Sequence, residues 1–303
     1  MDKNLVSVIM PAFNSATFIT ASIESVVNQT YTEWELIIID DGSVDHTASI
    51  IQSFTAVDKR IKYLYQENGK QGKARNFGIK NSEGSYIAFL DADDTWTPDK
   101  LSVQMAVMLE DRNIDLIFSQ GYLSTNGIIS DCDVQIKSTW TNADLETFID
   151  CNQIPILSVI IEKKVLEKVS LFNESLRIQN AEDYHLWLKL LIAGSTFKSI
   201  SNRLFYYRVH ATQSTYQNKN LVGPIFSAFE NLFFNCEAHD VRRYLINKLK
   251  WFIFDDHFYL RCVKIFKDYF KKKALLEFIL TLLMLNRRPL NKKIIFKLVS
   301  KFG

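Results

Sequence analysis

Residues 34–43 read WELIIIDDGS, an apolar run rich in β-branched residues that ends in two acids, a glycine and a serine. β-Branched residues favour strands, and Asp, Gly and Ser favour turns, so the stretch predicts a buried strand followed by an acidic turn. The carboxylates of Asp40 and Asp41 could accept hydrogen bonds from a base or a ribose. Asp and Ser also commonly cap the helix that follows a turn, so a capping role stays open.

Strand-like and helix-like segments alternate on both sides of this stretch. The apolar pattern predicts strands over residues 6–10, 35–39, 61–65, 86–90 and 114–119, and helices that include Ile19, residues 47–54 and residues 73–81. Repeated strand–helix–strand units predict an α/β fold, with a doubly wound, mostly parallel, Rossmann-like sheet. Ligands bind beyond the carboxyl ends of such strands, which makes residues 11–14, 40–43 and 91–94 the first candidates for a site.

Further elements follow the fourth strand. Thr97 and Pro98 are typical of an N-cap and a first helical position, so a helix is predicted to begin there. A helix is also expected near residues 181–192, with a strand over residues 204–208. From about residue 220 the pattern becomes helical and aromatic. These changes predict a domain over residues 1–215 and a helical C-terminal extension over residues 216–303.

The composition excludes several classes of protein. The chain has 303 residues, 47% hydrophobic and 23% charged, which suits a globular protein with a sizeable core. Four cysteines lie far apart without a CxxC pair, which argues against a zinc cluster or disulfide framework and fits a reducing cytoplasm. The polar N-terminus predicts no signal peptide. The apolar stretch 274–285 has 12 residues and should not span a bilayer, which needs about 20.

Charge is distributed unevenly along the chain. Residues 261–303 carry twelve Lys or Arg and two acids, a net charge of +10, which leaves −8 for the first 260 residues. Lys264, Lys267 and Lys271 recur at helical spacing beside apolar residues, a pattern typical of a helix that binds an anionic membrane surface. A helical cap with solvated lysines is the alternative. Nucleic acid is a poorer partner, because the acidic body would repel it.

Three carboxylates follow the fourth strand within four residues, at Asp91, Asp93 and Asp94. Such carboxylates repel one another unless a cation or strong donors offset their charge. They suit a hard divalent cation that is shared with phosphate oxygens. A helix-start turn would explain one of these acids but not three.

Two more sets of polar residues follow. Glu182 and Asp183 begin the predicted helix, where the helix dipole favours acids; alternatively one of them is a general base, and spacing does not decide which. Arg203, Arg208 and His210 flank a strand, and an arginine there would offset the charge of a diphosphate. The chain has no P-loop and no GxGxxG, so a nucleotide would need another binding device.

Five segments, taken together and in order, resemble the family 2 inverting glycosyltransferases of the GT-A fold. They are VSVIMPAFN, SIESVVNQTYTEWELIIIDDGSVDHT, GKARNFGI, GSYIAFLDADD and AEDYHLWLKL. The match covers residues 5 to about 215. It implies a GT-A domain with a donor half over residues 1–120 and an acceptor half over residues 121–215.

The resemblance implies a role for each matching residue of the donor site. Pro11, Phe13, Asn14 and Asp41 resemble the nucleobase site, with Asp40 beside them, and Phe13 stands where the family usually has Tyr. The Phe13 ring can still stack on uracil, although the hydroxyl contact is lost. The remaining donor-binding residues that the resemblance implies are Arg75, Asn76, Asp91, Ala92 and Arg208.

The resemblance also implies the catalytic and metal-binding residues. Asp183 matches the catalytic base of the family. Asp91 and Asp93 resemble the DxD motif, in which the second acid holds Mn²⁺ or Mg²⁺ against the diphosphate. His210 lies in a YRxH segment that is often near the diphosphate, and it is expected to help hold the metal.

The implied function is transfer of a sugar from a nucleoside diphosphate, UDP in the first instance, to a hydroxyl of a saccharide or lipid-linked acceptor. One displacement would invert an α-linked donor to a β-linked product, as in lipopolysaccharide, O-antigen or capsule synthesis. The expected location is the cytoplasm, peripheral to the inner face of the membrane. A sugar nucleotidyltransferase, a glycosidase and a non-catalytic scaffold are the alternatives.

Overall fold

The computed structural model describes residues 4–213, 221–249, 252 and 257–269. The chain divides into two compact units, Met1–Pro224 and Ile225–Gly303. The first unit holds the sheet and every predicted site residue. Most of the basic segment, residues 270–303, lies outside the described residues, and so does Lys271 of the predicted membrane-binding helix.

One mixed sheet organises the first unit. Among the described residues its nine strands are β1 (Val6–Ala12), β2 (Trp34–Asp40), β3 (Ile61–Tyr65), β4 (Tyr86–Phe89), β5 (Thr95–Trp96), β6 (Leu116–Thr125), β7 (Ile128–Cys132), β8 (Ile160–Glu162) and β9 (Phe197–Val209). They lie in the order β3-β2-β1-β4-β8-β6-β9-β5, and β7 pairs with β6. The pairs β1–β2, β2–β3, β1–β4 and β6–β9 are parallel, whereas β8 is antiparallel to both of its neighbours.

Helices connect these strands, as the sequence predicts for a doubly wound sheet. In the first unit they are α1 (Ile19–Val27), α2 (Thr47–Val57), α3 (Lys70–Lys80), α4 (Lys100–Glu110), α5 (Leu145–Asp150), α6 (Lys163–Lys168) and α7 (Glu182–Ile192). Short 3-10 helices cover Asn142–Asp144 and Ile156–Ser158. Three helices follow towards the C-terminus, α8 (Val222–Asn235), α9 (His239–Leu249) and α10 (Tyr259–Tyr269).

The core of the first unit lies on both faces of the central strands. All seven residues of β1 and all seven of β2 are buried, which explains their continuous apolar runs. Helix α3 packs closely on these strands at Gly78, where a Cβ atom would lie 2.6 Å from Ile39 and 2.8 Å from Ile9. This close approach fixes α3, which carries Arg75 and Asn76, against the sheet.

Several predicted boundaries are wrong, among them the strand expected at 204–208, which is the end of the longer β9, and two others have an identifiable reason. Helix α4 begins at Lys100 after Asp99, not at Pro98 after a Thr97 cap; the Thr97 hydroxyl instead donates to Asp99, 2.7 Å away. Strand β1 continues through Pro11 to Ala12 rather than ending at Pro11. Proline is tolerated because the pairing with β4 stops at Ile9, so no neighbour on that side needs the N–H that Pro11 lacks.

The second unit is helical in its described part, as predicted. Its aromatic residues pack together, with Phe226 stacked on Phe258 at 4.6 Å between ring centroids. Arg261 of α10 forms an ion pair with Glu230 of α8. In the part of the chain that the structure describes, no helix is both long enough and apolar enough to cross a membrane.

Candidate active site

The predicted residues that follow β1, β2 and β4 lie at one edge of the sheet, because these strands run parallel and side by side. The loop after β1 is tied to the loop after β2. Asn14 donates its backbone N–H to the Ser43 hydroxyl at 3.0 Å and accepts from the N–H of Val44 at 2.9 Å. Its backbone is left-handed, with φ of 50°, a conformation that asparagine tolerates better than most residues. Phe13 is 49% exposed beside it, so about half of its side chain is accessible.

Asp40 and Asp41 are buried and hydrogen-bonded, and they have different partners. Asp40 accepts from the Ser43 N–H at 2.8 Å and from the Tyr63 hydroxyl at 2.9 Å. Asp41 accepts from the backbone N–H groups of Gly69 and Lys70, at 2.7 and 2.9 Å. The carboxylate of Asp41 therefore caps the start of α3 and not α2, the helix that follows the turn, so the capping role expected from the sequence is found at a different helix.

The acidic turn after β4 runs directly into β5, and β5 pairs with β9. That pairing brings Asp93 beside His210, with 2.9 Å between Asp93 Oδ2 and His210 Nε2. The two residues are 117 positions apart. Asp94 is buried and accepts the backbone N–H of Arg208 at 2.7 Å. The third acid of the cluster thus faces the chain itself, while Asp91 and Asp93 remain partly exposed.

Burial and mutual repulsion perturb these carboxylates. Burial, and then the charge of Asp91, raise the pKa of Asp93, although the hydrogen bond from His210 opposes the change. Burial and the charges of Asp93 and Asp91 raise the pKa of Asp94 well above its usual value. A turn with this excess of negative charge would gain from a bound cation.

The donor set fits a divalent cation that binds together with phosphate. Mg²⁺ is typically held by one or two carboxylates plus substrate phosphates, and Asp91, Asp93 and His210 meet that requirement at the open edge of the sheet. Within the described residues, no group of three or more His, Cys, Asp or Glu side chains is arranged to hold a metal alone. Phosphate oxygens would have to complete such a site.

Arg75 links the acidic turn to the start of α7. Its side chain is buried and donates to Asp91 Oδ1 and to Glu182 Oε1, both at 2.8 Å. Asp91 and Glu182 come from distant parts of the chain, so one guanidinium holds two predicted motifs together. Among the described residues, neither Arg75 Nε nor Glu182 Oε2 has a hydrogen-bond partner.

Asp183 differs from Glu182 in both exposure and partners. It is partly exposed; Oδ1 accepts the N–H of Tyr184 at 2.6 Å, and Oδ2 lies 3.4 Å from the side-chain amide of Asn152. Burial and the charge of Glu182 raise the pKa of Asp183 to about 7, against the opposing effects of Arg75, Tyr184 and Asn152. A carboxylate with a pKa near neutrality suits a general base. The geometry supports Asp183 over Glu182, a choice that spacing alone left open.

Three other predicted residues have partners within the chain. Arg208 lies over the Phe18 ring at 4.9 Å, and the same ring contacts His210 at 4.5 Å between centroids. Asn76 uses its amide on Phe172 and Glu174, at 2.9 and 2.8 Å, so its geometry supports a role in fixing the loop after α6. Arg203 pairs with Asp131 and Asp133, at 2.9 and 2.6 Å.

The sequence reasoning missed two contributors. Phe18 precedes α1 and resembles an ordinary apolar residue, and Asn152 lies in a loop with no motif around it. Neither has a sequence signal of its own, because each gains its role only through contacts with residues far away in the chain.

Comparison with known proteins agrees with this architecture. Residues 7–133 match the family model described as Glycosyl transferase family 2. Over 193 residues the chain is 37% identical to UDP-Glc:alpha-D-GlcNAc-diphosphoundecaprenol beta-1,3-glucosyltransferase WfgD of Escherichia coli. The aligned region covers 63% of this chain and 71% of that protein.

Two solved structures share the fold. The first is S. aureus TarS in complex with UDP-GlcNAc, with a TM-score of 0.67 and 21% identity over 88% of this chain and 80% of that one. The second is the mannosyltransferase PcManGT from Pyrobaculum calidifontis in complex with GDP-Man and Mn²⁺, with a TM-score of 0.57 and 15% identity over 97% of this chain and 84% of that one. The predicted GT-A fold is confirmed. Because it has this fold, matches the family model and is 37% identical to WfgD over 71% of that protein, the chain belongs to glycosyl transferase family 2.

Proposed function

We propose that the protein transfers a sugar from a nucleoside diphosphate sugar, UDP-linked in the first instance, to a hydroxyl of a saccharide or lipid-linked saccharide, with inversion to a β-linkage. The observation that carries this proposal is the ion-pair chain Asp91–Arg75–Glu182, with both links at 2.8 Å. It holds the acidic turn and the start of α7, where Asp183 lies, within reach of one substrate.

The donor would bind along the edge of the sheet. Phe13, which is 49% exposed, offers a stacking surface for the base, and Pro11, Asn14, Asp40 and Asp41 are the other residues proposed to bind it. Arg75, Asn76, Asp91, Ala92 and Arg208 would contact or support the rest of the donor. Of these, Asn76 acts through the loop that its amide fixes. TarS and PcManGT, which share the fold, were solved with UDP-GlcNAc and with GDP-Man, and this supports a nucleotide sugar as the donor.

Asp91, Asp93 and His210 would hold a Mn²⁺ or Mg²⁺ ion. When bound, the cation would offset the charge that develops on the diphosphate as the sugar–phosphate bond breaks. Support comes from the 2.9 Å approach of His210 to Asp93, from the excess of negative charge in the turn, and from the Mn²⁺ in PcManGT.

Asp183 would act as the general base. Its carboxylate takes the proton from the acceptor hydroxyl while the acceptor oxygen bonds to the anomeric carbon. The bond between that carbon and the diphosphate breaks, and the nucleoside diphosphate leaves with the electron pair. One displacement inverts the configuration, so no side chain need form a covalent intermediate.

The acceptor and the location are proposed from the relative and from the charge of the chain. WfgD acts on a diphosphoundecaprenol-linked sugar, which supports a lipid-linked acceptor in lipopolysaccharide, O-antigen or capsule synthesis. We place the protein in the cytoplasm, peripheral to the inner face of the membrane. The +10 charge of residues 261–303 supports attraction to anionic lipids. In this arrangement residues 1–215 would be the catalytic domain and residues 216–303 the extension.

The test is a panel of nucleotide sugars, each incubated with and without a lipid-linked acceptor, after removal of bound metal and after addition of Mn²⁺. We expect nucleoside diphosphate release from one donor, dependent on Mn²⁺ and abolished in Asp93→Ala. Glu110→Gln, at the exposed end of α4, is the matched acid-to-neutral control and should keep full activity. Pyrophosphate exchange would favour a nucleotidyltransferase, hydrolysis of a finished glycoside would favour a glycosidase, and binding without turnover would favour a scaffold.

A further inference from the structure

Two adjacent acids bind the same strand end. Asp93 Oδ2 lies 2.9 Å from His210 Nε2, and Asp94 Oδ1 accepts the backbone N–H of Arg208 at 2.7 Å. The first contact belongs to the proposed cation site. The second contact is with the backbone of Arg208 in β9, two residues before His210, and it has no role in the proposed function.

The register of the strands explains why Asp94 is needed there. Strand β5 pairs with β9 through Thr95 opposite Tyr206 and Trp96 opposite Phe205, and the ladder ends at Thr95. Beyond that point the chain turns away through the acidic turn, in which the N–H of Asp94 bonds to the carbonyl of Asp91. The N–H of Arg208 is bound instead by the side chain of Asp94, which is 1% exposed.

We infer that Asp94 is a positioning residue, whose carboxylate extends the β5–β9 ladder by one bond and thereby holds His210 against Asp93. This inference rests on the proposed function, in which Asp93 and His210 bind a cation with the diphosphate. Asp94 itself would contact neither the cation nor the diphosphate, because its side chain is buried against β9.

A role confined to turn formation does not account for the contact. An acid that only capped a turn would accept N–H groups from residues close in sequence, as Asp58 does from Arg60. The side chain of Asp94 bonds 114 residues away, to the segment that carries His210. Residues that support metal ligands in this way commonly alter metal affinity by about 10-fold or more when they are replaced.

Asp115 offers a matched control, because it makes the same kind of bond at the other end of β9. Its carboxylate accepts the backbone N–H of Thr196 at 2.8 Å, one residue before the strand begins. Asp115→Ala should therefore remove one acid-to-backbone bond of β9 without affecting the site. Asp94→Asn keeps an acceptor oxygen at residue 94, whereas Asp94→Ala removes it.

The experiment measures UDP binding to the full chain by calorimetry, with and without Mn²⁺, together with the melting temperature of each variant. Wild type, Asp94→Asn and Asp115→Ala should show the same Mn²⁺-dependent gain in UDP affinity, and Asp94→Ala should lose about 10-fold of it. If Asp94→Ala does not fold, Asp94→Ser, whose side chain is too short to reach Arg208, replaces it with the same expected loss.

Three outcomes would overturn the inference while leaving the proposed function intact. A folded Asp94→Ala that keeps the full gain would show that the bond does not position the site, and an equal loss in Asp115→Ala would show only a general weakening of β9. An equal loss in Asp94→Asn would show that the charge matters rather than the bond. The absence of any Mn²⁺-dependent gain in wild type would instead contradict the cation site of the proposed function, and this inference with it.

Discussion

Glu182 and Asp183 are neighbours that the fold treats differently. Glu182 is buried, and its Oε1 is paired with Arg75 at 2.8 Å, so this carboxylate is held in a contact within the protein. Asp183 keeps part of its side chain exposed, and its Oδ2 has a weaker contact, with the side-chain amide of Asn152 at 3.4 Å. A base must reach solvent or substrate, and Asp183 meets that need better than its neighbour.

We therefore expect Asp183→Asn to reduce transfer by about 10²-fold or more, because the amide keeps the shape of the side chain but cannot accept the proton. Donor affinity should change little. Glu182→Gln is the control, since it alters the adjacent acid and should cost less. Steady-state kinetics with calorimetry of UDP binding separates the two effects. A large loss of transfer in Glu182→Gln together with a small loss in Asp183→Asn would identify Glu182 as the base instead.

The pH dependence follows from the pKa of Asp183, which burial and Glu182 raise to about 7. The base works only when ionised, so kcat/KM should fall as the pH drops below about 7 and level off above it. Asn152 donates to the ionised form and lowers this pKa, so Asn152→Ala should move the profile to higher pH. A profile with its midpoint near 4 in wild type, or a shift to lower pH in the variant, would contradict this account.

Much of the site can be predicted from the sequence because its residues follow strand ends. The turns at Asp40 and Asp91 can be identified from apolar runs that stop in acids. The contacts of Asp94 with Arg208 and of Asn152 with Asp183 cannot be, since they depend on pairs of residues brought together only by the sheet and by α7. The pairing of Arg75 with both Asp91 and Glu182 cannot be predicted from the sequence for the same reason.

Long elements are predictable and short ones are not. The strands near residues 35–39 and 61–65 have clear apolar patterns, and the structure confirms both. Strands β5 and β8 have two and three residues, too few for any pattern, although β8 separates β4 from β6 and β5 brings the acidic turn to β9. The wrong start of α4 has a similar origin, because Thr97 and Asp99 compete for the same turn and the choice depends on local geometry.

Gly84 offers a test of how the elements fit together. It lies in the turn before β4 and against the start of β1, where a Cβ atom would meet the Leu5 carbonyl at 2.6 Å and the Ser7 N–H at 2.8 Å. Backbone atoms cannot move aside as side chains do, so Gly84→Ala should lower the free energy of unfolding by about 1–3 kcal/mol. Urea denaturation measures this change. Lys80→Ala, exposed at the end of α3, should stay within about 0.5 kcal/mol, and an equal effect in both variants would refute the packing argument.

At the scale of the whole molecule the charge is divided between two parts. The first 260 residues carry −8 and residues 261–303 carry +10, so the basic segment differs electrostatically from the rest. Each basic residue near an anionic leaflet contributes about 1 kcal/mol, and a lipid-linked acceptor would lie at that surface. The sequence alone supports this expectation, because most of the segment lies outside the described residues.

Flotation with anionic liposomes tests the expectation. The full chain should float at low salt and less at high salt, and a chain truncated after Tyr259 should not float. Liposomes without anionic lipid are the control and should carry neither protein. Equal flotation of both chains, or no flotation of the full chain at low salt, would refute membrane binding by this segment.

The central claim is a single displacement assisted by Asp183, and the anomeric configuration of the product tests it most directly. The donor identified in the panel, if α-linked, is incubated with Mn²⁺ and a lipid-linked acceptor, and the new linkage is assigned by NMR. We expect a β-linked product from wild type and almost none from Asp183→Asn. An α-linked product would contradict the mechanism, because retention cannot result from one direct attack.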